Sequence, residues 1–443
     1  MRPFRSFLLL LIFLIVFAGL SYVLPWDLKL PDAGTLFPEE FITSLFIRHQ
    51  THGYQPEAQP AETLLVAMPE KIIRTDSVPA PADNAVAAPV HLPLRSFTDS
   101  LNYSGRPVRI MYYGDSQIEG DRITSFLRSS LRKSWGGTGP GLFLPVMPVT
   151  YTRSVYVRAS SNWKRYNYLS FKSKEITHNA LGPFMSFCRY LPEGAKATST
   201  VRSWIRVIPS VFADSTSSKY EYLRILYRNP QEEVKIEVRA DRLPVQTDTL
   251  RVGSGLNEFV CPLYKVKNVL IDFSGKVSPD IYGVSIEGSS GIIVDNIPLR
   301  GSAGLEFTMV DKENLREAYR MLSPDLIVLH FGLNIVRNIR RDYTYYQKGL
   351  SRQLALLKEV APGTSIIVVG LTDMAYGEED KIVSYPNIQG IIDAQKTASQ
   401  EWDVLFWDAL RAMGGQSSII KWFNMNPPLA KKDYVHFTDQ GAD

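Results

Sequence analysis

Between Lys312 and Trp407 a helical repeat followed by a short apolar run occurs three times. A helix predicted from about Lys312 to Leu322 precedes DLIVLHFG, one from Tyr343 to Glu359 precedes SIIVVGL, and one near Ile388 to Trp402 precedes VLFWD. Strands joined through helices run parallel, because only such a crossover returns the chain in the same direction, and a parallel sheet is covered on both faces. An earlier run, Val108 to Tyr113, ends in Gly114-Asp115-Ser116-Gln117, and Ile123 to Leu131 then shows helical spacing. Strand, tight turn and helix is the reading. The simplest architecture joins Val108–Arg132 to Ile292–Asp443 as one three-layer α/β/α domain with a parallel sheet.

The stretch between those parts has another character. From about Thr150 to Gly288 the runs YNYLSFK, FMSFCRYL, TVRSWIRVI, YEYLRILY, VKIEVRA, NEFVCPLY and NVLIDFSG are short, β-branched or aromatic, and separated by turn residues. Such a succession predicts an inserted all-β sandwich. Cys188 and Cys261 fall inside it, and a disulfide and two buried thiols are equally compatible with the sequence. Just ahead, Gly136 to Pro145 (GGTGPGLFLP) is rich in glycine. It has no GK[ST] ending and no direct passage from strand to helix, so it reads as a shaping loop and not as a phosphate loop.

At the other end, Phe7 to Leu24 is an uncharged apolar run preceded by Arg2 and Arg5. It predicts an uncleaved transmembrane anchor, because Tyr22, Leu24, Pro25 and Trp26 stand where a signal peptide has small residues. The flanking charges place the N-terminus in the cytoplasm and the rest on the periplasmic or extracellular side. Pro38 to Gln50 has the pattern of one short amphipathic helix, and the Pro/Ala-rich chain up to Pro93 reads as a stalk. The expected division is an anchor over 1–26, a juxtamembrane segment and stalk over 27–93, a catalytic domain over 94–149 plus 289–443, and the β insertion over 150–288.

Composition excludes several classes of function. The chain has 443 residues, enough for two or three domains at about 150 each. Forty-nine Lys and Arg against 45 Asp and Glu is too even for a groove that tracks nucleic-acid phosphates. Two cysteines and six histidines argue against a Cys-rich or multi-His metal site, and the one close pair, His49 and His52, falls in a segment that reads as largely unstructured. No metal and no organic cofactor is expected.

The residues that carry chemistry collect where strands should end, which in open α/β sheets is where ligands bind. Ser116 follows the first strand, and Gly332-Leu333-Asn334 closes DLIVLHFG. Asp433 and His436 stand three residues apart, a spacing that lets the carboxylate reach the ring Nδ1–H and fix tautomer and orientation of a base. Gly301, after IIVDN, offers an unobstructed backbone N–H, with Gly304 as the alternative donor. Bland roles are expected for neighbours: Asp115 supports the turn, His330 is a core histidine, and Glu119 and Asp121 are solvated carboxylates at a helix start or face the cleft.

In these four blocks the sequence resembles the SGNH, or GDSL-type, hydrolase family, with Ser116, Gly301, Asn334 and His436 in the family's order and Asp433 completing a triad. The GxSxG elbow of the α/β-hydrolases is absent. The resemblance implies a nucleophilic Ser116, a general base His436 oriented by Asp433, and an oxyanion hole formed by Ser116, Gly301 and Asn334. It further implies a structural turn role for Asp373, after VVGLT, and a closing helix beyond His436, which seven residues follow here. The inserted β-domain and the ending DYVHFTDQGA are similar to bacterial cell-surface acetylesterases, among them peptidoglycan O-acetylesterases. The expected activity is removal of O-acetyl groups from an acetylated cell-envelope glycan or peptidoglycan. The alternatives are transfer of the acetyl group to a sugar hydroxyl with a membrane partner, and a non-catalytic glycan-binding scaffold. Trp163, Tyr166 and Tyr168 are candidates for stacking on sugars in the insertion.

Overall fold

The computed structural model describes residues 94–443 except 104, 150, 151, 379 and 380. The expected anchor, the stalk up to residue 93 and the amphipathic segment over 38–50 lie outside the described residues. Among the described residues no helix is long and apolar enough to cross a membrane.

Five parallel strands form the central sheet, side by side in the order Ile292–Pro298, Val108–Gly114, Leu326–His330, Ser365–Val369 and Leu405–Trp407. Numbered along the chain this is 2-1-3-4-5. The order reverses at the first strand, so connections leave it on opposite sides and open a crevice at its carboxyl end. Alternate residues of that strand serve opposite faces. Ile110 and Tyr112 pack with Ile123, Leu127 and Leu131 of the helix Arg122–Trp135 and with Phe97 and Leu101 of the helix Arg95–Tyr103. Met111 and Tyr113 share a core with Leu315 and Tyr319 of the helix Lys312–Leu322 and with Leu350 and Leu354 of the helix Thr344–Val360. These are the three layers that the helix and strand alternation predicts.

The outer edge of the sheet is blunted by arginine. Arg128 donates through Nε and Nη2 to the Val294 carbonyl, at 3.1 and 2.7 Å, and Arg132 donates through Nε to the Ile292 carbonyl at 3.0 Å. Carbonyls that would template another strand are thereby used within the molecule.

The segment expected to be all-β holds two antiparallel sheets. One orders Leu256–Val266, Tyr220–Arg228, Asp280–Glu287, Ser186–Arg189 and Lys164–Asn167; the other orders Val155–Ala159, Val201–Pro209, Val269–Gly275, Val234–Ala240 and Leu243–Thr249. Three local expectations are corrected. YNYLSFK is strand only to Asn167, whose side chain accepts the N–H groups of Leu169 and Ser170 and so starts the short helix Tyr168–Lys172. The Gly-rich loop contains a strand, Gly141–Phe143, paired with Val284–Ile286. A Cβ on Gly139 would lie 2.2 Å from the Ile286 carbonyl, which is why this approach needs glycine. The run Asp280–Glu287, absent from the predicted strands, is buried at every position and so lacks the polar alternation that marks a half-exposed strand. Cys188 and Cys261 are separate buried thiols with no disulfide between them.

Both antiparallel sheets contribute to the same hydrophobic cluster as the Met111 and Tyr113 face of the parallel sheet, through residues such as Leu142, Phe187, Ile271 and Val284. A buried charge group sits at that junction. The Arg109 guanidinium, 2% exposed, pairs with Asp295 at 2.8 Å and with Glu287, and Glu287 also meets Arg224 at 2.9 Å. Burial works to raise the Glu287 carboxyl, but Arg109 and Arg224 outweigh it and hold the group down at about 2.

Candidate active site

The first strand stops at Gly114, where a Cβ would come within 2.9 Å of the His330 carbonyl. Asp115 follows, buried, and uses both oxygens: Oδ1 accepts the Gln117 N–H at 3.0 Å and Oδ2 accepts the Leu333 N–H at 3.2 Å. It therefore caps the turn Ser116–Asp121 and ties it to the block that carries Asn334. Burial pushes the Asp115 carboxyl up to about 7, against the pull of the N–H groups it accepts from. Ser116 opens the turn, so its own N–H has no partner within it.

The other half of the site is a loop pinched by a bridge between Ala430 and Phe437. Inside it Asp433 Oδ1 accepts the N–H groups of Val435 and His436, both at 3.0 Å, while Oδ2 faces His436 Nδ1 at 2.7 Å. His436 Nε2 lies 2.8 Å from Ser116 Oγ. Burial acts to raise the Asp433 carboxyl, but its bonds to the His436 ring and to the two N–H groups prevail and hold it below the ordinary carboxylate value. The three residues thus form a continuous chain from carboxylate to hydroxyl. A ring with its Nδ1–H on Asp433 leaves Nε2 free to take the serine proton.

Gln117 joins the two halves, and the sequence reading missed it. It is fully buried; its amide Nε2 donates to the Val435 carbonyl at 3.2 Å and its Oε1 accepts the Phe437 N–H at 3.1 Å. Its side chain clamps the His436 loop to the nucleophile turn through main-chain groups on both sides of the histidine. Arg122 was missed as well: its Nη2 donates to the Ser116 carbonyl at 2.9 Å.

Of the expected oxyanion donors only Asn334 has a hydrogen-bond partner among the described residues. Asn334 is exposed on the short helix Leu333–Val336, and its Nδ2 donates to the Ser302 carbonyl at 2.7 Å. An amide nitrogen carries two hydrogens, so the second is left for a substrate oxygen. Gly301 adopts φ +79° in the turn from Leu299 to Ser302, which a side chain would strain, and the space beside its Cα is open. Its N–H makes no hydrogen bond among the described residues. Gly304 does not fit the alternative role, because its N–H is taken by Ser302 Oγ at 2.8 Å and the Phe331 ring lies against it.

The remaining candidates fall outside the chemistry. His330 is buried against Tyr112, with Nδ1 at 3.1 Å from the phenol, and burial lowers it to about 4. Asp373 Oδ2 accepts from Ser384 Oγ and from the Ile419 N–H, at 3.0 Å each, and so anchors a later helix. Asp121 is no solvated carboxylate: it is buried and paired with Arg128 at 2.9 Å. Glu119 is mostly buried and lies 3.6 Å from Arg300. Trp163 and Tyr166 are core residues packed on Tyr190, Phe273 and Phe187, which corrects the expectation that they stack on sugars; Tyr168 is half-buried. Among the described residues no group of three or more His, Cys, Asp or Glu side chains is placed to hold a metal.

No family model and no curated protein matches the sequence. Among solved structures the chain is similar to a peptidoglycan O-acetylesterase, at 18% identity and TM-score 0.59, over 79% of this chain and 91% of that one. It is also similar to an acetylxylan esterase from Geobacillus stearothermophilus, at 20% identity and TM-score 0.26, over 34% of this chain and 68% of that one. A salicylyl-acyltransferase from a tetracycline biosynthetic pathway aligns at 12% identity and TM-score 0.27, over 68% of this chain and 93% of that one. The first of these carries the likeness, which is one of fold and agrees with the SGNH-type resemblance of the four sequence blocks.

Proposed function

We propose that the protein is a serine esterase that removes O-acetyl groups from a cell-envelope glycan through an acetyl-serine intermediate. The observation that carries the reading is the unbroken chain Asp433–His436–Ser116, with separations of 2.7 and 2.8 Å. In the proposed reaction Ser116 Oγ attacks the ester carbonyl while His436 Nε2 takes its proton and Asp433 stabilises the imidazolium. The oxyanion is held by the N–H groups of Ser116 and Gly301 and the free amide hydrogen of Asn334. The C–O bond to the sugar breaks, and the departing oxygen takes the proton from His436. Water, deprotonated by the same ring, then attacks the acetyl carbon; the bond to Ser116 Oγ breaks as His436 returns the proton to that oxygen, and acetate leaves.

The fold shared with a peptidoglycan O-acetylesterase supports this reading, and so do the four sequence blocks. The proposal includes attachment to the cell membrane through residues 7–24, with the catalytic part on the periplasmic or extracellular side. The purified full-length chain should release acetate from acetylated glycan fragments and from a small acetyl ester. Supplying an unacetylated oligosaccharide tests the outcome of the second step: acetate alone supports hydrolysis, and acetylated sugar as the main product overturns it in favour of transfer.

A further inference from the structure

We propose that the glycan bound at this site is acidic, carrying carboxylates along its chain that are held by cations on the three loops converging at Ser116. The proposal rests on the esterase reading and specifies its substrate. The charge of the whole chain is only +4, but the even balance does not extend to these loops. Arg300 directly precedes Gly301, and its side chain is 63% exposed. Arg337 is exposed three residues after Asn334; its backbone continues the helical conformation, and that spacing puts both residues on one face. Lys431 and Lys432 are exposed directly before Asp433, in the loop closed by the Ala430–Phe437 bridge.

These cations are poorly compensated. Among the described residues no carboxylate lies within 4.0 Å of the charges on Arg337, Lys431 or Lys432, and Arg300 meets only Glu119, at 3.6 Å. The negative charges of Asp439, Glu119 and Asp433 also bear on Arg122, which is half-buried and donates to the Ser116 carbonyl. Consecutive Cα atoms are about 3.8 Å apart, and each of these cations starts one to three residues from a member of the proposed triad or oxyanion hole: Arg300 from Gly301, Arg337 from Asn334, and Lys431 and Lys432 from Asp433. An ammonium or guanidinium on such a stem reaches a carboxylate about one sugar ring from the ester. Single cations spread over separate loops suit one monovalent charge per sugar; a phosphate group calls for converging donors at one point.

The test compares two substrate classes on the full-length protein: acetylated galacturonan fragments, which carry a carboxylate on every ring, and acetylated xylan fragments, which carry none. The expected result is a kcat/KM about tenfold higher on galacturonan, expressed mainly in KM, with the difference lost at about 0.5 M salt as surface charges are screened. The ratio of the two kcat/KM values should fall about threefold in each of Arg337→Gln and Lys432→Gln. Equal or lower kcat/KM on galacturonan, or an unchanged ratio in both variants, overturns the acidic-glycan proposal while hydrolysis of xylan esters leaves the esterase reading standing. Failure to hydrolyse either class or a small acetyl ester overturns both.

Discussion

Ser116 and His436 are 320 residues apart in the chain, and a buried amide holds them in register. Gln117→Ala removes the side-chain partners of a buried carbonyl, Val435, and a buried N–H, Phe437, which costs about 1–3 kcal/mol for each group left unpaired. The expected outcome is a lower melting temperature together with a larger fall in kcat than in substrate affinity, because the imidazole loosens while the cleft stays open; thermal unfolding and steady-state kinetics check this. Asn334→Ala should lower kcat about 100- to 1000-fold by removing one oxyanion donor, and unchanged kcat in that variant would take Asn334 out of the oxyanion hole. Asp433 and His436 were legible in the sequence because their pairing is local, three residues apart. Gln117 was not: both its partners are main-chain atoms of a distant loop, and an amide next to a serine carries no spacing signal.

At the scale of elements, the helices and parallel strands after Gly288 could be read from period and length, and Lys312–Leu322 matches its predicted bounds. The strands Gly141–Phe143 and Asp280–Glu287 escaped because one hides among glycines and the other is buried on both faces. Their junction with the parallel sheet is where Arg109, Glu287, Asp295 and Arg224 meet, and its pH response can be given a sign. Glu287 is depressed from 4.5 to about 2, so its contribution is complete above the ordinary value and is lost as pH falls from there through about 2. Glu287→Gln should therefore destabilise the protein at neutral pH, by about 3–5 kcal/mol as for a buried pair stripped of one partner. The same variant should lose less stability than the wild type between those two pH values, as melting curves across that range will show. The turn at Gly301 gives a second test: Gly301→Ala meets no neighbouring atom but must hold φ +79°, so it should cost about 1 kcal/mol and displace the donor N–H. A variant with full activity would assign the oxyanion to other donors.

Over the whole molecule, the β-rich insertion read from the sequence as a separate domain shares one hydrophobic cluster with a face of the parallel sheet. The described residues fall within one compact unit, Val86–Asp443. Composition marks where strand-rich sequence begins and ends, but it holds no record of which apolar faces meet, so this continuity was not legible. A core shared in this way should unfold together, and calorimetry is expected to show a single transition for this unit; two transitions would mean that the antiparallel sheets and the α/β layers are independent. The account as a whole turns on the chemistry that the shared core positions at Ser116. The most direct measurement is to mix the full-length protein with a small acetyl ester, quench in acid within a turnover, and map the acetyl group by peptide mass spectrometry. Acetyl on Ser116 in the wild type, with neither acetylation nor acetate release in Ser116→Ala, is the predicted result. Acetate release at the wild-type rate from Ser116→Ala would contradict it.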